Sequence, residues 1–136
     1  MRGMFKVFYK PGTTFSQSEL LIDAPKQDFD SLIEIINRVL AAGGNHTASV
    51  SAESHGPIRI ERFTVQLGTG PNRVSAQNGE IIFSISPDLQ EQFISFIYFP
   101  ADAPVGYHHH YDNLGDDDGK YVARDSLPVI FGLLQD

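Results

Sequence analysis

Apolar residues recur along the chain at two spacings, one typical of α-helices and one typical of β-strands. Between residues 28 and 42 they lie on a single helical stripe, with polar side chains on the opposite side. We predict a helix here, with Asp28 as its N-cap and Gly43-Gly44 at its end. The stripe consists of Phe29, Leu32, Ile33, Ile36, Val39 and Leu40.

A second helix is predicted from about Pro87 to Ile97. Ser86-Pro87-Asp88 is a typical helix start, because serine suits the capping position and proline suits the first helical position. Residues 93–99 are also rich in aromatic and β-branched side chains, which are typical of a strand. The helical spacing of the apolar residues after Ser86 favours the helix.

Alternation of apolar and polar residues predicts strands in most of the remaining chain. The clearest pair flanks Asn78-Gly79, a dipeptide typical of a two-residue hairpin turn. With these residues in the turn, Ala76 faces Ile81 and Val74 faces Phe83 across the ladder. The other predicted strands are Met4–Tyr9, Glu19–Ile22, Ile58–Leu67 with a bulge near Glu61-Arg62, Val105–Tyr111 and Leu127–Leu134.

The segment from Gly43 to Pro57 is small and polar, with Val50 as its one large aliphatic side chain. It is either a mobile loop or a loop that contains a short strand around Ala48–Ala52, and we favour the mobile loop. Together the elements predict one globular α+β domain over residues 1–136. Its mostly antiparallel twisted sheet of about six to seven strands is expected to have two helices packed on one face.

Composition and charge narrow the class of function. The chain has 136 residues, no cysteine and a net charge of −7, from ten basic and seventeen acidic side chains. Absence of cysteine excludes disulfides and thiolate catalysis. The acidic balance argues against nucleic-acid binding, which depends on lysine and arginine. The most apolar run, Phe93–Phe99, is far short of the roughly twenty residues that span a bilayer. We expect a cytoplasmic protein that binds neither nucleic acid nor membrane.

Histidines are concentrated between Tyr107 and Asp112, which contains three of the five in the chain. On a strand, successive side chains alternate between the two faces, so His108, His110 and Asp112 project to the same side. A His-x-His pair with a nearby carboxylate can bind zinc, copper or iron. This set is the candidate metal site, with ordinary hydrogen bonding on a sheet surface as the alternative.

The opposite face of the same predicted strand carries two tyrosines and the third histidine, and an acidic run follows it. The run does not match the ligand spacing of an EF-hand, which favours a solvated turn or an acidic contact surface over a calcium site. Tyrosine suits a protein interface because its ring is rigid and apolar and its tip is polar. The predicted partner-binding residues are Tyr107, His109, Tyr111, Asp116, Asp117 and Asp118.

A serine next to an aspartate, Asp125-Ser126, suggests a hydrolase set when a histidine is near. The chain lacks the Gly-x-Ser-x-Gly turn that exposes a catalytic serine in α/β-hydrolases. We therefore interpret Ser126 as a turn or strand-entry residue and predict no catalytic residues.

The order of elements carries a resemblance across almost the whole chain. It begins with Phe5-Lys6-Val7-Phe8-Tyr9, an amphipathic helix and the Asn-Gly hairpin, and continues with a Ser-Pro-Asp-Leu helix, a His-x-His-Tyr strand and a closing strand. This order resembles the small bacterial immunity proteins of polymorphic toxin systems, most nearly the immunity protein 32 family. The most specific positions are His108, His110, Asp125, Ser126 and Pro128.

The resemblance implies a non-enzymatic cytoplasmic antidote that binds one cognate toxin, blocks its active site and needs no cofactor. A basic toxin would suit the net charge of −7, because complementary fields speed encounter. Two alternatives belong to other classes. One is a metal-binding domain or metal-dependent enzyme that uses His108, His110 and Asp112, and the other is a structural subunit that assembles with itself.

Overall fold

The computed structural model describes residues 5–14, 17–113 and 119–135, which form an α+β fold. The helices are α1, Lys26–Ala42, and α2, Gln90–Ile97, which follows a short 3₁₀ turn at Pro87–Leu89. The strands are β1 Phe5–Lys10, β2 Glu19–Pro25, β3 Thr47–Ser54, β4 Arg62–Leu67, β5 Arg73–Gln77, β6 Glu80–Ile85, β7 His108–Tyr111 and β8 Val129–Leu134.

The strands form one sheet in the order β5-β6-β4-β3-β1-β2-β8-β7. Pairs β1–β2, β3–β4, β5–β6 and β7–β8 are antiparallel, and β1–β3, β2–β8 and β4–β6 are parallel. The predicted α+β class and the mostly antiparallel sheet are confirmed. The predicted count of six to seven strands is wrong, because the described residues form eight.

The additional strand is β3, which lies within the segment that we favoured as a mobile loop. Its backbone pairs with β1 on one side and with β4 on the other. Only Ala48, Val50 and Ala52 pack against the core from this strand, and its alternate residues are exposed. The small side chains give a weak strand signal, so β3 depends on its two neighbours for its conformation.

Two predicted element starts are also corrected. Helix α1 begins at Lys26, with Pro25 as N-cap in an extended conformation, so Asp28 is a buried residue of the first turn and not the cap. Strand β4 begins at Arg62, four residues after the predicted start. In the segment before β4, the Glu61 N–H donates a hydrogen bond to the Gly79 carbonyl at 2.7 Å.

The helix prediction for α2 and the hairpin prediction are confirmed. Ala76 pairs with Ile81 and Val74 pairs with Phe83, as the turn position required. Asn78 and Gly79 have φ values of 50° and 80°. A two-residue turn with positive φ at both positions matches the right-handed twist of the flanking strands.

The sheet curls so that its apolar face lies inside. The ring centroids of Phe83 on β6 and Phe131 on β8 are 6.4 Å apart, although four strands lie between these two in the sheet. In a flat sheet five strand spacings would separate them by about 24 Å. Phe29 of α1 and Phe93 of α2 each contact Phe131, at 6.1 Å between ring centroids. The apolar side is called the inner face and the other side the outer face.

Within the part of the chain that the structure describes, neither helix is long and apolar enough to cross a membrane.

Candidate functional site

Strand β7 lies at one edge of the sheet and is introduced by a tight turn. The Tyr107 N–H donates to the Pro104 carbonyl at 3.0 Å, and Gly106, at the third position of this turn, has a φ of 92°. Leu133 on β8 accepts from the Gly106 N–H and donates to the Tyr107 carbonyl, each at 2.9 Å. Gly106 and Tyr107 thus lie opposite the single residue Leu133. Two residues opposite one, with a glycine at positive φ as the first, form a G1 β-bulge. It holds Val105 to Tyr107 outside the regular strand that we predicted from Val105.

The predicted alternation along β7 holds. His109 pairs with Phe131 and Tyr111 pairs with Val129 on the inner face, while His108 and His110 lie on the outer face. The Tyr111 ring is only 1% exposed. It packs edge-on against the rings of Phe93 and Phe96, so its side chain is not available to a partner in the free protein.

The other predicted contact residues differ in accessibility. His109 is half-buried, stacks on Phe99 with ring centroids 4.6 Å apart, and places Nδ1 2.8 Å from the Phe96 carbonyl oxygen. The Tyr107 side chain is 47% exposed, with its ring centroid 5.4 Å from that of His109. Asp116, Asp117 and Asp118 lie outside the described residues.

The structure brings together two residues of the candidate metal set. The rings of His108 and His110 have centroids 5.0 Å apart on the outer face. Strand β7 ends at Tyr111, so Asp112 follows the strand and is half-buried. Among residues 5–14, 17–113 and 119–135, no three or more histidine or carboxylate side chains are placed to hold one metal ion. The described residues of a single chain thus supply the His108/His110 pair without Asp112 as a third ligand.

A carboxylate that the sequence did not single out lies across the sheet from His108. Asp23 on β2 pairs with Gly132 on β8, and Gly132 pairs with His108 on β7, so the three positions form one row of the outer face. A Cβ atom at Gly132 would collide with Oδ1 of Asp23, because that carboxylate lies over the glycine. The row borders an open cavity of about 350 Å³, also lined by Leu21, Gly106, Ile130, Leu133 and Leu134.

The setting of Asp23 changes its acidity. Burial in this partly apolar hollow raises the pKa of Asp23, and the positive charges of Lys6 and His108 oppose that shift without reversing it. A glycine inside a strand often marks a close approach by another group. Gly132 within the predicted Leu127–Leu134 strand was the available signal, and only the pairing of β2 with β8 identifies Asp23 as the group.

Asp125 and Ser126 have structural contacts in place of a hydrolase arrangement. The buried Ser126 Oγ accepts a hydrogen bond from the Val74 N–H at 2.8 Å, and the Leu127 N–H donates to the Val74 carbonyl at 2.8 Å. The Arg73 guanidinium donates to the Asp125 carboxylate at 2.8 Å. These contacts attach residues 125–127 to the side of β5 that is not paired with β6.

Comparison with known proteins leaves the residues themselves as the guide to function. No protein-family model matches the chain, and searches of curated proteins and of solved structures give no significant match.

Proposed function

We propose that this chain is a non-enzymatic, cytoplasmic binding protein, an immunity protein that neutralises a cognate toxin by covering its active site. The observation that carries the proposal is the turn before β7, which presents two large apolar side chains to solvent. Val105 is 61% exposed and Tyr107 is 47% exposed. Exposed apolar side chains gathered on one turn are typical of a contact surface.

The turn suits an interface because it is held in place before any partner arrives. The bulge hydrogen bonds to Leu133 fix its backbone, and the Tyr107 ring lies 6.2 Å from the Phe99 ring at a near-perpendicular angle. Binding immobilises a side chain at an entropic cost, and a ring that is already packed on one side loses less freedom. Tyrosine is also among the residues that contribute most to binding energy in interfaces.

The charge of the chain supports a basic partner. Its net charge of −7 attracts a basic protein over long range and raises the association rate. The acidic run Asp116–Asp118 follows the β7 segment closely in sequence, which concentrates negative charge near Tyr107 along the chain. We further infer that α1 and α2 both cover the inner face, through Phe29 and Phe93, so that a partner engages the turn and the outer side of the sheet.

The test is to co-express the chain with the product of the neighbouring gene and to measure binding of the purified pair by surface plasmon resonance. Replacing Tyr107 by Ala should weaken binding about 30-fold, since loss of a central aromatic anchor costs about 2 kcal/mol. Tyr121→Ala is the matched control, because Tyr121 is also 47% exposed but lies at the β5 edge, opposite the β7 edge of the sheet. Its backbone carbonyl there accepts from the N–H of Asn72, which precedes β5. It should change affinity by less than about 3-fold.

Charge reversal tests the acidic part of the surface separately. Replacing Asp116, Asp117 and Asp118 by lysine should lower the association rate about 10-fold or more at low salt, with a smaller effect at high salt. An unchanged rate and affinity would remove these residues from the contact surface. Absence of any complex with the neighbouring product would overturn the proposed function, and equal losses for Tyr107→Ala and Tyr121→Ala would reject the turn as its centre.

A further inference from the structure

The two edges of the sheet differ in how their backbone groups are satisfied. At the β5 edge, the backbone of Val74 is bonded to Ser126 and Leu127, and Asn72 exchanges hydrogen bonds with Tyr121 and Ala123. At the β7 edge, the described residues provide no comparable covering strand or segment. An uncovered edge can pair with a further strand, and natural proteins usually protect such edges.

Residues along β7 alternate between those whose backbone is hydrogen-bonded to β8 and those whose backbone groups point away from it. Leu133 donates to the Tyr107 carbonyl, so residues in register with this pair, such as His109 with Phe131, are hydrogen-bonded to β8. In an antiparallel ladder, hydrogen-bonded and non-hydrogen-bonded residues alternate. The N–H and C=O groups of His108 and His110 therefore point away from β8, and none of them has a backbone partner among the described residues.

This arrangement is self-complementary. The backbone groups of His108 and His110 both point outward, with His109 between them. A twofold axis that passes beside His109 would place each of these two residues opposite the other one in a second copy. In a second copy related by that axis, His108 would face His110, and His110 would face His108. The two pairs would form four backbone hydrogen bonds and continue the sheet from one chain into the other.

The same pairing would gather four imidazoles on the outer face. Within one chain the rings of His108 and His110 are 5.0 Å apart, and in a hydrogen-bonded antiparallel pair opposite Cα atoms lie about 5.5 Å apart. Nδ1 of His108 is 3.2 Å from the Gly106 carbonyl oxygen, which leaves Nε2 for another partner. In metal-binding histidines, the N–H of the second ring nitrogen commonly donates to a backbone carbonyl oxygen in this way.

We propose that a zinc ion joins two copies of this chain at β7, with His108 and His110 of each copy as its ligands. One chain provides two nitrogen ligands, and the second copy completes the four that tetrahedral zinc takes. Each copy has a net charge of −7, so the copies repel each other, and the bound cation offsets part of that repulsion. Association therefore depends on the metal. This inference goes beyond the proposed toxin binding and does not depend on it.

The experiment uses the full chain, purified without a histidine tag and freed of metal with EDTA. Size-exclusion chromatography with light scattering should give 15.1 kDa without metal and twice that mass after addition of zinc chloride. Magnesium chloride should leave the mass unchanged, because magnesium prefers oxygen ligands. The double variant His108→Ala/His110→Ala should stay monomeric in zinc. The control His46→Ala/His55→Ala removes two other exposed histidines and should still dimerise.

Amide hydrogen exchange tests the strand pairing itself. Zinc should slow exchange of the backbone amides at positions 108 and 110 by about 10-fold or more in the parent chain, and should leave exchange at the same two positions unchanged in the His108→Ala/His110→Ala variant. A chain that stays monomeric in excess zinc would overturn the proposal, as would a zinc-dependent dimer of the His108→Ala/His110→Ala variant. Loss of dimerisation in the His46→Ala/His55→Ala control would assign the metal to other ligands, and a dimer without amide protection would reject the β7 pairing.

Discussion

Replacing Ser126 by alanine tests whether this residue stabilises the fold or serves chemistry. In the structure, the buried Ser126 Oγ accepts the backbone N–H of Val74 on the edge strand β5. Alanine removes the acceptor and keeps the backbone conformation, so the Val74 N–H stays buried without its hydrogen bond. We expect the substitution to lower the free energy of unfolding and to leave partner binding unchanged.

The magnitude follows from the burial of both groups. Leaving a buried donor unsatisfied costs about 1–3 kcal/mol, so a value of about 2 kcal/mol is expected. The entropy of unfolding is about 2.1 cal/mol/K per residue near the midpoint, or roughly 0.3 kcal/mol/K for a chain of this length. Dividing the first value by the second predicts that Ser126→Ala lowers the Tm by about 7 °C.

The assay is thermal unfolding followed by circular dichroism, with urea unfolding for the free energy. Ser95→Ala is the matched control, because its exposed hydroxyl donates to the Gln92 carbonyl at 2.6 Å on α2. It should change stability by less than about 0.5 kcal/mol. The neighbouring Asp125→Asn should also have a small effect, since the pair with Arg73 is half-exposed and such pairs contribute about 0–1 kcal/mol.

A Tm for Ser126→Ala within about 1.5 °C of the parent would show that the bond to Val74 contributes little, against the cost argued for a buried donor. A stable Ser126→Ala variant that lost a hydrolytic activity of the parent chain would restore the catalytic interpretation of this serine. A shift of equal size in Ser95→Ala would show that the measurement does not distinguish buried from exposed hydroxyls.

Two further predictions concern the hollow over Gly132. Gly132→Ala puts a methyl group against Oδ1 of Asp23, the end of a half-buried side chain that can turn aside, and should destabilise the fold by about 0.5–1 kcal/mol, less than overpacking of a tight core. In an Asp23→Ala background the same change should stabilise by about 0.5–1 kcal/mol, because glycine is unfavourable within a strand. Urea unfolding of the four chains checks this, and a coupling energy below about 0.5 kcal/mol would contradict it. Because burial raises the pKa of Asp23, the folded chain binds this proton more tightly than the unfolded chain. That stability is present in acid and is lost as the pH rises through the folded pKa. Asp23→Asn should therefore gain stability over the parent as the pH rises from below the ordinary aspartate pKa to above the raised folded pKa, and a difference that is constant with pH would reject the shift.

Local patterns in the sequence were sufficient for several elements of this fold. The stripe of α1, the register set by Asn78-Gly79 and the split of β7 into His108/His110 and His109/Tyr111 all agree with the structure. Each depends on backbone geometry over a few neighbouring residues. A helix repeats every 3.6 residues, a strand alternates every two, and an Asn-Gly turn fixes one pairing.

Tertiary structure decided the rest because distant segments had to meet. Strand β3 has few apolar residues and is a strand because β1 and β4 pair with it on both sides. Asp23 lies in one row with His108 only because β2 pairs with β8 from the opposite end of the chain, and Gly132 leaves the space between them. Spacing along the chain also cannot show that residues 121–127 cover β5, while no segment of the described residues covers β7 in the same way. The histidine-rich segment was visible from the sequence, but the partners of each histidine depend on long-range strand pairing.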